Sequence, residues 1–327
     1  MMWVLAGDIG GTSTRLQLAE LQTQGWHMHD AVDYSSAEYA HLRDIVRAHL
    51  KQHGLTQLDG ACFAVAGPVQ KQSARITNLP WVLEVDTLEQ QLHVRSVALI
   101  NDFTAIAHGL SQLGETDTVI LQRATAQREG AIAILGAGTG LGQAIVKPFE
   151  DQLVVIDGEG GHVDFAPRNE EEIALLQYWL KQLGRVSYET FLSGKGLARI
   201  FEFYSQSAQV DEALKQAMQT QDPAAAITDF AMHYKDPLAS RALHCFVRIY
   251  AAQAANLALV AKATGGVYLA GGIAPRIISN LQGDEFLRVF NDKAPMQHLL
   301  ATIPVRVIMN TRVGLLGALK IAKQLVS

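Results

Sequence analysis

The sequence predicts an α/β fold built from two related halves. Its 327 residues exceed the length of one ordinary domain. A pattern of strand, glycine turn and strand occurs twice, at residues 3–19 and 131–146, and a third apolar run ends in glycines at residues 267–273. This repetition indicates two α/β halves that face one nucleotide between them, with one large α/β unit as the alternative.

The composition is that of a globular chain. Hydrophobic residues make up 49% and charged residues 18% of the chain, which argues against disorder. The formal net charge is −5 and no basic cluster occurs, so we expect neither nucleic acid nor an anionic membrane as a partner. The sequence shows neither the pattern of a signal peptide nor an uninterrupted apolar run long enough to span a bilayer, which predicts a cytoplasmic protein. Cys62 and Cys245 stand in apolar surroundings and are predicted to be core residues.

A glycine-rich hairpin opens the chain. The strand Trp3 to Ala6 leads into Gly7-Asp8-Ile9-Gly10-Gly11-Thr12, and Arg15 to Ala19 alternates as a second strand. Glycines let backbone N–H groups approach an anion closely, so the turn is a candidate phosphate loop and Asp8 a candidate magnesium ligand. A tight turn with glycines for geometry alone explains the residues equally well.

The segments that follow this hairpin are predicted to form a helix, a strand and a loop. Ser36 to His53 has the period of an amphipathic helix, and Ala61 to Ala66 is a buried strand. Asn78 follows in a polar and aromatic loop, where it either contacts a polar ligand or simply forms a turn before Pro80.

A buried strand, Val97 to Ile100, ends in Asn101 and Asp102. This arrangement presents an amide and a carboxylate at the carboxyl edge of the sheet, where open α/β sheets hold ligands. Asp102 is therefore the candidate catalytic base. The alternative is that Asn101 or Asp102 only caps the helix predicted from Phe103 to Leu113.

The second glycine turn, Gly136 to Gly142, follows the strand Ala131 to Leu135 and is not a common nucleotide motif. Leu141 occupies the position where the dinucleotide fingerprint needs its third glycine. Ser193-Gly194-Lys195-Gly196 also lacks the spacing of a P-loop.

Glu159 and His162 are separated by two glycines in Asp157 to Asp164. A carboxylate accepts hydrogen bonds from two sugar hydroxyls at once and an imidazole supplies a donor, so the pair suits a sugar. Simple solvation in a loop is the alternative. Glu189, beside apolar neighbours, is either a further sugar contact or an acid at a helix start.

The remaining chain is mostly helical. The predicted elements are a helix that starts at Asn169 and carries Glu170, Glu171 and Glu172 in its first turn, a long helix from Ala239 to Lys262, a strand from Val305 to Met309 and a closing helix from Val313 to Leu325.

Five motifs, in this order, resemble the bacterial glucokinases. They are Gly7-Asp8-Ile9-Gly10-Gly11-Thr12, Ile100-Asn101-Asp102-Phe103, Gly136-Ala137-Gly138-Thr139-Gly140, Gly158-Glu159-Gly160-Gly161-His162 and Leu269-Ala270-Gly271-Gly272-Ile273. The resemblance runs through the whole chain. It implies a two-domain hexokinase/actin-like (ribonuclease-H-like) fold, with a small domain of residues 1–112 plus 305–327, a large domain of residues 113–304, and ATP and sugar in the interdomain cleft.

The resemblance also implies roles for single residues in ATP-dependent phosphorylation of D-glucose at its 6-hydroxyl. Asp102 takes the proton from that hydroxyl, and the sugar is held by Asn78, Asn101, Glu159, His162 and Glu189. The phosphates are surrounded by Gly7 to Thr12 and by Gly138 and Thr139, while Asp8 helps to position Mg²⁺ and Gly271 and Gly272 lie near adenosine. A homodimer is expected on the same basis.

Two departures and three rival functions qualify this resemblance. Ser13 stands where many relatives have Asn, and the Cys-rich zinc motif of the related repressor and sugar-kinase family is missing after His162, which indicates the zinc-free glucokinases. The rivals are a sugar-sensing regulator, an ATPase of the chaperone or filament type and a kinase for another hexose. A regulator normally needs an added DNA-binding segment, whereas the hairpin here starts at Gly7; an ATPase has no need for Glu159, His162 and Glu189.

Overall fold

The computed structural model describes residues 2–76, 79–150 and 152–327, and the chain forms two compact units. The first unit comprises Met1–Glu115 together with Asn310–Ser327, and the second comprises Thr116–Met309. Each unit has its own mixed α/β structure, as the sequence predicts.

The described strands and helices have the following bounds. The strands are β1 Met2–Ile9, β2 Ser13–Gln22, β3 Gly25–Met28, β4 Val32–Ser35, β5 Gly60–Val65, β6 Val69–Gln70, β7 Ser73–Arg75, β8 Val82–Glu84, β9 Val97–Asn101, β10 Thr118–Gln122, β11 Ile132–Ala137, β12 Leu141–Phe149, β13 Gln152–Gly158, β14 Gly266–Ala270 and β15 Val305–Ile308. The helices are α1 Leu42–Gln52, α2 Val85–Leu92, α3 Asp102–Gly109, α4 Glu170–Leu183, α5 Gly194–Ser205, α6 Glu212–Thr220, α7 Pro223–Asp229, α8 Pro237–Ala261, α9 Ile273–Arg276, α10 Ile278–Leu281, α11 Asp284–Asn291, α12 Gln297–Leu300 and α13 Val313–Gln324.

The first unit is organised around a sheet with the order β3-β2-β1-β5-β9, to which β4 adds by pairing with β2. β1 is antiparallel to β2 and parallel to β5, which is in turn parallel to β9. Successive side chains of β1 alternate between two cores, since Leu5 and Ile9 pack with residues of α1 and α2 while Val4 and Ala6 pack with residues of α13. Both faces of the sheet are therefore covered.

Two glycines let α3 and α13 approach each other closely. A Cβ atom on Gly317 of α13 would lie 1.8 Å from the carbonyl oxygen of Ala105 in α3. A Cβ atom on Gly109 of α3 would lie 2.1 Å from the carbonyl oxygen of Val313. The C-terminal helix thus sets the position of the helix that begins at Asp102.

The second unit has a sheet with the order β10-β15-β14-β11-β12-β13. The central strands β11, β14 and β15 are parallel, and β12 forms an antiparallel hairpin with β11. The core of this unit is dominated by α8, whose Phe246, Ile249 and Tyr250 are fully buried.

By length and composition α8 is apolar enough to cross a membrane, although Arg241 and Arg248 interrupt its apolar residues. However, 72% of its most apolar window is buried inside the unit, which is typical of the core helix of a globular protein.

Three of the sequence predictions can be compared with the structure at this point, and the results differ. Cys62 and Cys245 are buried as predicted, and burial raises the pKa of both thiols. The sequence assigns residues 305–309 to the first domain, whereas β15 pairs with β14 and β10 in the second unit's sheet. The helix predicted from Ser36 begins only at Leu42, because the Ser36 hydroxyl bonds instead to the backbone oxygen of Gly10, at 3.0 Å.

Candidate functional site

In the first unit, Asn101 and Asp102 lie where β9 passes into α3. The Asn101 Oδ1 atom caps the helix by accepting from the backbone N–H groups of Phe103, at 2.8 Å, and Thr104, at 3.3 Å. Its Nδ2 atom donates to the carbonyl oxygen of Gly67, at 3.1 Å. The cap interpretation is therefore confirmed for Asn101, and both of its polar atoms have structural partners.

Asp102 is the first residue of α3 rather than its cap. Its Oδ1 atom accepts from the backbone N–H of Phe103, at 3.0 Å. The side chain is partly exposed. A carboxylate in the first turn of a helix is stabilised by the helix dipole, so this position favours an ionised Asp102 that a ligand can reach.

The first glycine turn is held by hydrogen bonds from outside the hairpin. The backbone N–H of Ser36 donates to the carbonyl oxygen of Thr12, at 3.0 Å, and the hydroxyls of Ser36 and Thr14 are 2.9 Å apart. Gly7 lies in β1, and a Cβ atom there would be 2.6 Å from Phe63. Packing against Phe63 thus explains why residue 7 is a glycine. Thr12 lies at the exposed tip of the turn, where a ligand can reach it.

Asp8 lies in β1 opposite Arg15 of β2. Burial raises the pKa of the Asp8 carboxyl, Arg15 opposes that rise, and Asp33 adds to it. Arg15 is itself engaged by Asp33, with Nε and Oδ1 2.5 Å apart. Loss of the Asp8 proton is therefore favoured by a cation that binds beside it.

The residues around Asp8 fit Mg²⁺ only if the ion takes a single carboxylate ligand from the protein. Among the described residues, no group of three or more His, Cys, Asp or Glu side chains is arranged to hold a metal ion. Mg²⁺ commonly binds through one or two carboxylates and completes its shell with water and substrate phosphates. A single carboxylate at Asp8 is consistent with that mode and not with an all-protein site.

In the second unit, three glycine segments meet at one end of the sheet. The backbone N–H of Gly194, the first residue of α5, donates to the carbonyl oxygen of Gly138, at 2.9 Å. Gly271 has φ +81°, and a Cβ atom on it would lie 2.4 Å from the carbonyl oxygen of Ala137. The predicted phosphate residues Gly138 and Thr139 are thus close to the predicted adenosine residues Gly271 and Gly272.

Sequence reasoning missed the contribution of Ser193 and Gly194. Ser193 is the N-cap of α5, and its hydroxyl accepts from the backbone N–H of Gly196, at 3.0 Å. The N-terminus of a helix favours anions, and here it adjoins the glycine turn. The signal in the sequence is Ser193 in Ser193-Gly194-Lys195-Gly196, a residue type that is favoured as a helix N-cap even though the segment lacks the spacing of a P-loop.

Glu159, His162 and Glu189 come together, although 27 residues separate His162 from Glu189 in the chain. His162 Nε2 lies 3.8 Å from Glu159 Oε2, and His162 Nδ1 lies 3.9 Å from Glu189 Oε1. All three side chains are partly exposed, at 63%, 55% and 32% for Glu159, His162 and Glu189. They form a polar cluster open to a ligand.

Glycines bring this cluster together. A Cβ atom on Gly161 would lie 2.1 Å from the carbonyl oxygen of Leu141, and one on Gly160 would lie 2.4 Å from Gln143 Oε1. The backbone N–H of Glu189 donates to the carbonyl oxygen of Gly161, at 2.9 Å. The two glycines between Glu159 and His162 thus serve close packing against β12. Asn78, the remaining predicted sugar contact, lies outside the described residues.

Comparison with known proteins gives matches over nearly the whole chain. A family model described as Glucokinase matches residues 5–325. The glucokinase of Nostoc sp. is 40% identical over 343 residues, which cover 99% of this chain and 100% of the relative. The glucokinase of Synechocystis sp. is 42% identical over 346 residues, which cover 98% of each.

Solved structures give the same result. The crystal structure of a glucokinase from an Antarctic psychrotroph matches with a TM-score of 0.84 and 27% identity, covering 99% of both chains. A ROK family glucokinase from Streptomyces griseus, in complex with glucose and AMPPNP, matches with a TM-score of 0.66 and 19% identity, covering 98% of this chain and 99% of the other. The predicted two-domain actin-like fold of these sugar kinases is confirmed.

Proposed function

The chain belongs to the glucokinase family, and we propose that it catalyses the ATP-dependent phosphorylation of D-glucose at the 6-hydroxyl, giving glucose 6-phosphate and ADP. The proposal draws on relatives that match along their full length and on the glucose and AMPPNP in the S. griseus structure. The single structural observation that carries it is the cluster of Glu159, His162 and Glu189.

This cluster suits a sugar because each member offers a different hydrogen-bonding capacity. A carboxylate accepts from two hydroxyls, and an imidazole donates to one and accepts from another. The side chains are held by a short 3₁₀ turn, Gly160–His162, and by the bond from Glu189 N–H to Gly161. A site that hydrogen-bonds each hydroxyl discriminates against sugars that lack one, since its polar groups are then left unpaired.

Asp102 is the proposed catalytic base. Its position at the start of α3 favours the carboxylate form. In the proposed step Asp102 accepts the proton of the 6-hydroxyl while that oxygen bonds to the γ-phosphorus of ATP and the bond to ADP breaks. Asn101 is a proposed sugar contact as well, though its side chain already caps α3 and bonds to Gly67.

The phosphate ligands are proposed from the glycine segments. Gly7 to Thr12 and Gly138-Thr139 would lie beside the phosphates, with Gly271 and Gly272 near adenosine. Asp8 would hold Mg²⁺, which neutralises charge on the phosphates when it is bound. Within the second unit, the N-terminus of α5 at Gly194 lies beside Gly138 and suits a phosphate. Within the first unit, Asp8 offers one carboxylate that suits a magnesium ion.

We also propose that the protein acts in the cytoplasm, supplies glucose 6-phosphate to glycolysis and forms a homodimer. The net charge of −5, without a basic cluster, supports small-molecule substrates rather than nucleic acid or an anionic membrane.

The first experiment measures ADP release by the purified protein with magnesium and ATP. Glucose, fructose, mannose, galactose and N-acetylglucosamine are each added separately, and one sample receives no sugar. We expect strong stimulation by glucose alone. Stimulation by another hexose in place of glucose would reassign the substrate, whereas equal ADP release without sugar would favour an ATPase.

A further inference from the structure

A series of hydrogen bonds leads from the sugar cluster into the core of the second unit. The hydroxyl of Tyr188, the residue directly before Glu189, accepts from the side-chain Nδ2 atom of Asn256 in α8, at 2.9 Å. The Oδ1 atom of Asn256 accepts in turn from the ammonium group of Lys293, at 2.5 Å. We call these three side chains, Tyr188, Asn256 and Lys293, the Lys293 network.

The polar atoms of Asn256 have fixed roles in this network. An ammonium group only donates, so the atom that faces Lys293 is the amide oxygen. The amide nitrogen therefore faces the Tyr188 hydroxyl, and it also donates to Gln253 Oε1, at 3.1 Å. Tyr188 and Gln253 are only 3% and 4% exposed. A buried polar network with all its partners in place holds its members in one arrangement.

The position of Lys293 is costly for the fold. Its side chain is half-buried, although lysines are mostly exposed. Burial lowers the pKa of the Lys293 ammonium, and Arg168 adds to this decrease, whereas Asp292 and Glu172 oppose it. A charge that is held partly away from water is found more often at functional sites than elsewhere.

Tyr188 belongs to a short ladder that carries the sugar cluster. Its backbone N–H donates to the carbonyl oxygen of Val163, at 3.1 Å, and the next N–H, that of Glu189, donates to the carbonyl oxygen of Gly161, at 2.9 Å. The Tyr188 ring packs edge-on against Phe165, with ring centroids 5.5 Å apart. A shift of the Tyr188 side chain would therefore move the backbone on both sides of the sugar cluster.

We propose that Asn256 and Lys293 are positioning residues of the sugar site. Acting through the Tyr188 hydroxyl, they hold the backbone at Glu189 so that its carboxylate faces His162. Neither residue contacts the sugar or the phosphates in this proposal. It deepens the proposed function and rests on it, because the site that is positioned is the one assigned to glucose.

Steady-state kinetics of the full chain tests the proposal with Lys293→Met and Tyr188→Phe. Each variant removes one link of the network and keeps an apolar side chain of comparable size. The KM for glucose should rise about tenfold with kcat nearly unchanged, because the lost contacts act on sugar binding and the proposed base, Asp102, belongs to the other unit. Lys293→Arg keeps a charged donor for Asn256 and should restore most of the affinity.

The two links act in series, so their effects should not add. The double variant with Lys293→Met and Tyr188→Phe should have a KM close to that of the single variants. One matched control is Tyr178→Phe, which removes a hydroxyl that donates to Glu202 on the surface of the same unit. The other is Lys181→Met, which removes an exposed ammonium group from α4. Both controls should leave the KM for glucose unchanged.

Amide hydrogen exchange gives a readout that does not depend on activity. Glu189 Oε2 accepts from the backbone N–H of Leu141, at 2.9 Å, so exchange at this N–H reports whether the carboxylate is in place. Lys293→Met should speed exchange at Leu141 about tenfold, whereas the N–H of Leu269, in the central strand β14, should exchange as in the wild type. Faster exchange at both positions would show a general loss of stability and would overturn the positioning role.

The outcomes separate this proposal from the proposed function. If the wild type does not phosphorylate glucose, the proposed function fails, while faster exchange confined to Leu141 still supports the positioning of Glu189 and unchanged exchange overturns it. If glucose is phosphorylated, the positioning role is overturned when Lys293→Met and Tyr188→Phe leave the KM unchanged. A fall in kcat as large as the rise in KM, or a Lys293→Arg variant no better than Lys293→Met, would overturn it as well.

Discussion

The carboxylate of Glu189 accepts a hydrogen bond of 2.9 Å from the backbone N–H of Leu141. Leu141 lies within the second glycine turn, and a Cβ atom on the preceding residue, Gly140, would lie 2.6 Å from the same carboxylate oxygen, Oε2. The other oxygen, Oε1, lies 3.9 Å from His162 Nδ1. Glu189 therefore connects the proposed phosphate turn to the proposed sugar cluster, with one oxygen holding the backbone and the other facing the cluster.

This double role predicts different results for two substitutions. Glu189→Gln keeps an oxygen for Leu141 N–H but loses the charge, so the KM for glucose should rise about tenfold, which is roughly 1.4 kcal/mol, with little change in stability. Glu189→Ala also leaves a partly buried N–H unpaired and should lower the free energy of unfolding by about 1–3 kcal/mol. Glucose-dependent ADP release and urea unfolding measure the two effects.

The control for these variants is Glu212→Gln, since Glu212 is exposed at the start of α6. This variant should change neither the KM for glucose nor the free energy of unfolding. Equal stability of Glu189→Gln and Glu189→Ala would show that the bond to Leu141 does not stabilise the fold.

Asp102→Asn tests the proposed base. A positioned base contributes about 10²–10⁴-fold to the rate, so kcat should fall on that scale while the KM for glucose changes little. The matched control is Asp86→Asn, which removes an acid from the first turn of another helix, α2. Steady-state kinetics of both variants, with thermal unfolding as a check of folding, gives the comparison. A kcat of Asp102→Asn within a factor of a few of the wild type would exclude Asp102 as the base.

Much of the fold could be predicted from local sequence patterns. The apolar run of β1, the alternation of apolar residues in β2 and the long apolar period of α8 reflect burial within single elements. The assignment of β15 failed because it depends on which sheet a four-residue strand joins, and that choice is made by its pairing with β14 and β10. No local pattern carries this information.

The residues of the candidate site could be proposed from the sequence, but the contacts between them could not. The residue types of Glu159, His162 and Glu189 indicated sugar binding, while their assembly depends on Gly161 packing against Leu141. The motif order, through resemblance, supplied the proposed roles. The pairing of Gly194 with Gly138 joins residues 56 positions apart, so spacing rules for nucleotide loops had no means of detecting it.

Gly317→Ala should disturb the site from a distance. Its Cβ atom would lie 1.8 Å from the carbonyl oxygen of Ala105, one turn after Asp102, so α13 and α3 must separate. We expect a loss of about 1–3 kcal/mol in stability and a lower kcat, because overpacking shifts the backbone that carries Asp102. Calorimetry measures the change in stability, and steady-state kinetics measures the change in kcat.

Gly314→Ala is a control within the same helix. The nearest neighbour of its Cβ atom would be Ile106 at 3.8 Å, an ordinary contact. This change should be neutral or stabilising by up to about 1 kcal/mol, since Ala is the better helix former. If both variants lost the same stability, helix propensity or flexibility rather than the contact with Ala105 would be responsible.

A buried histidine predicts the response of the first unit to acid. His49 of α1 is fully buried, and its Nδ1 atom lies 2.9 Å from the Tyr34 hydroxyl. Burial, reinforced by the neighbouring His53 and His29, lowers the pKa of His49 from 6.5 to about 4. The imidazole is therefore neutral in the folded chain at pH 5, where the unfolded chain has already bound the proton.

The stability contributed by neutral His49 is complete above pH 6.5 and is lost as the pH falls from 6.5 towards about 4. The shift corresponds to roughly 3 kcal/mol at full effect, because each pKa unit is about 1.4 kcal/mol. His49→Gln removes the titration, so its unfolding free energy should fall less than that of the wild type over this range. His298→Gln, at an exposed position, should follow the wild type. Urea unfolding at pH 7.5, 6.5, 5.5 and 4.5 gives the slope of the unfolding free energy against pH for each protein. Parallel slopes for wild type and His49→Gln would contradict the prediction, because a histidine held neutral by the fold must bind its proton on unfolding.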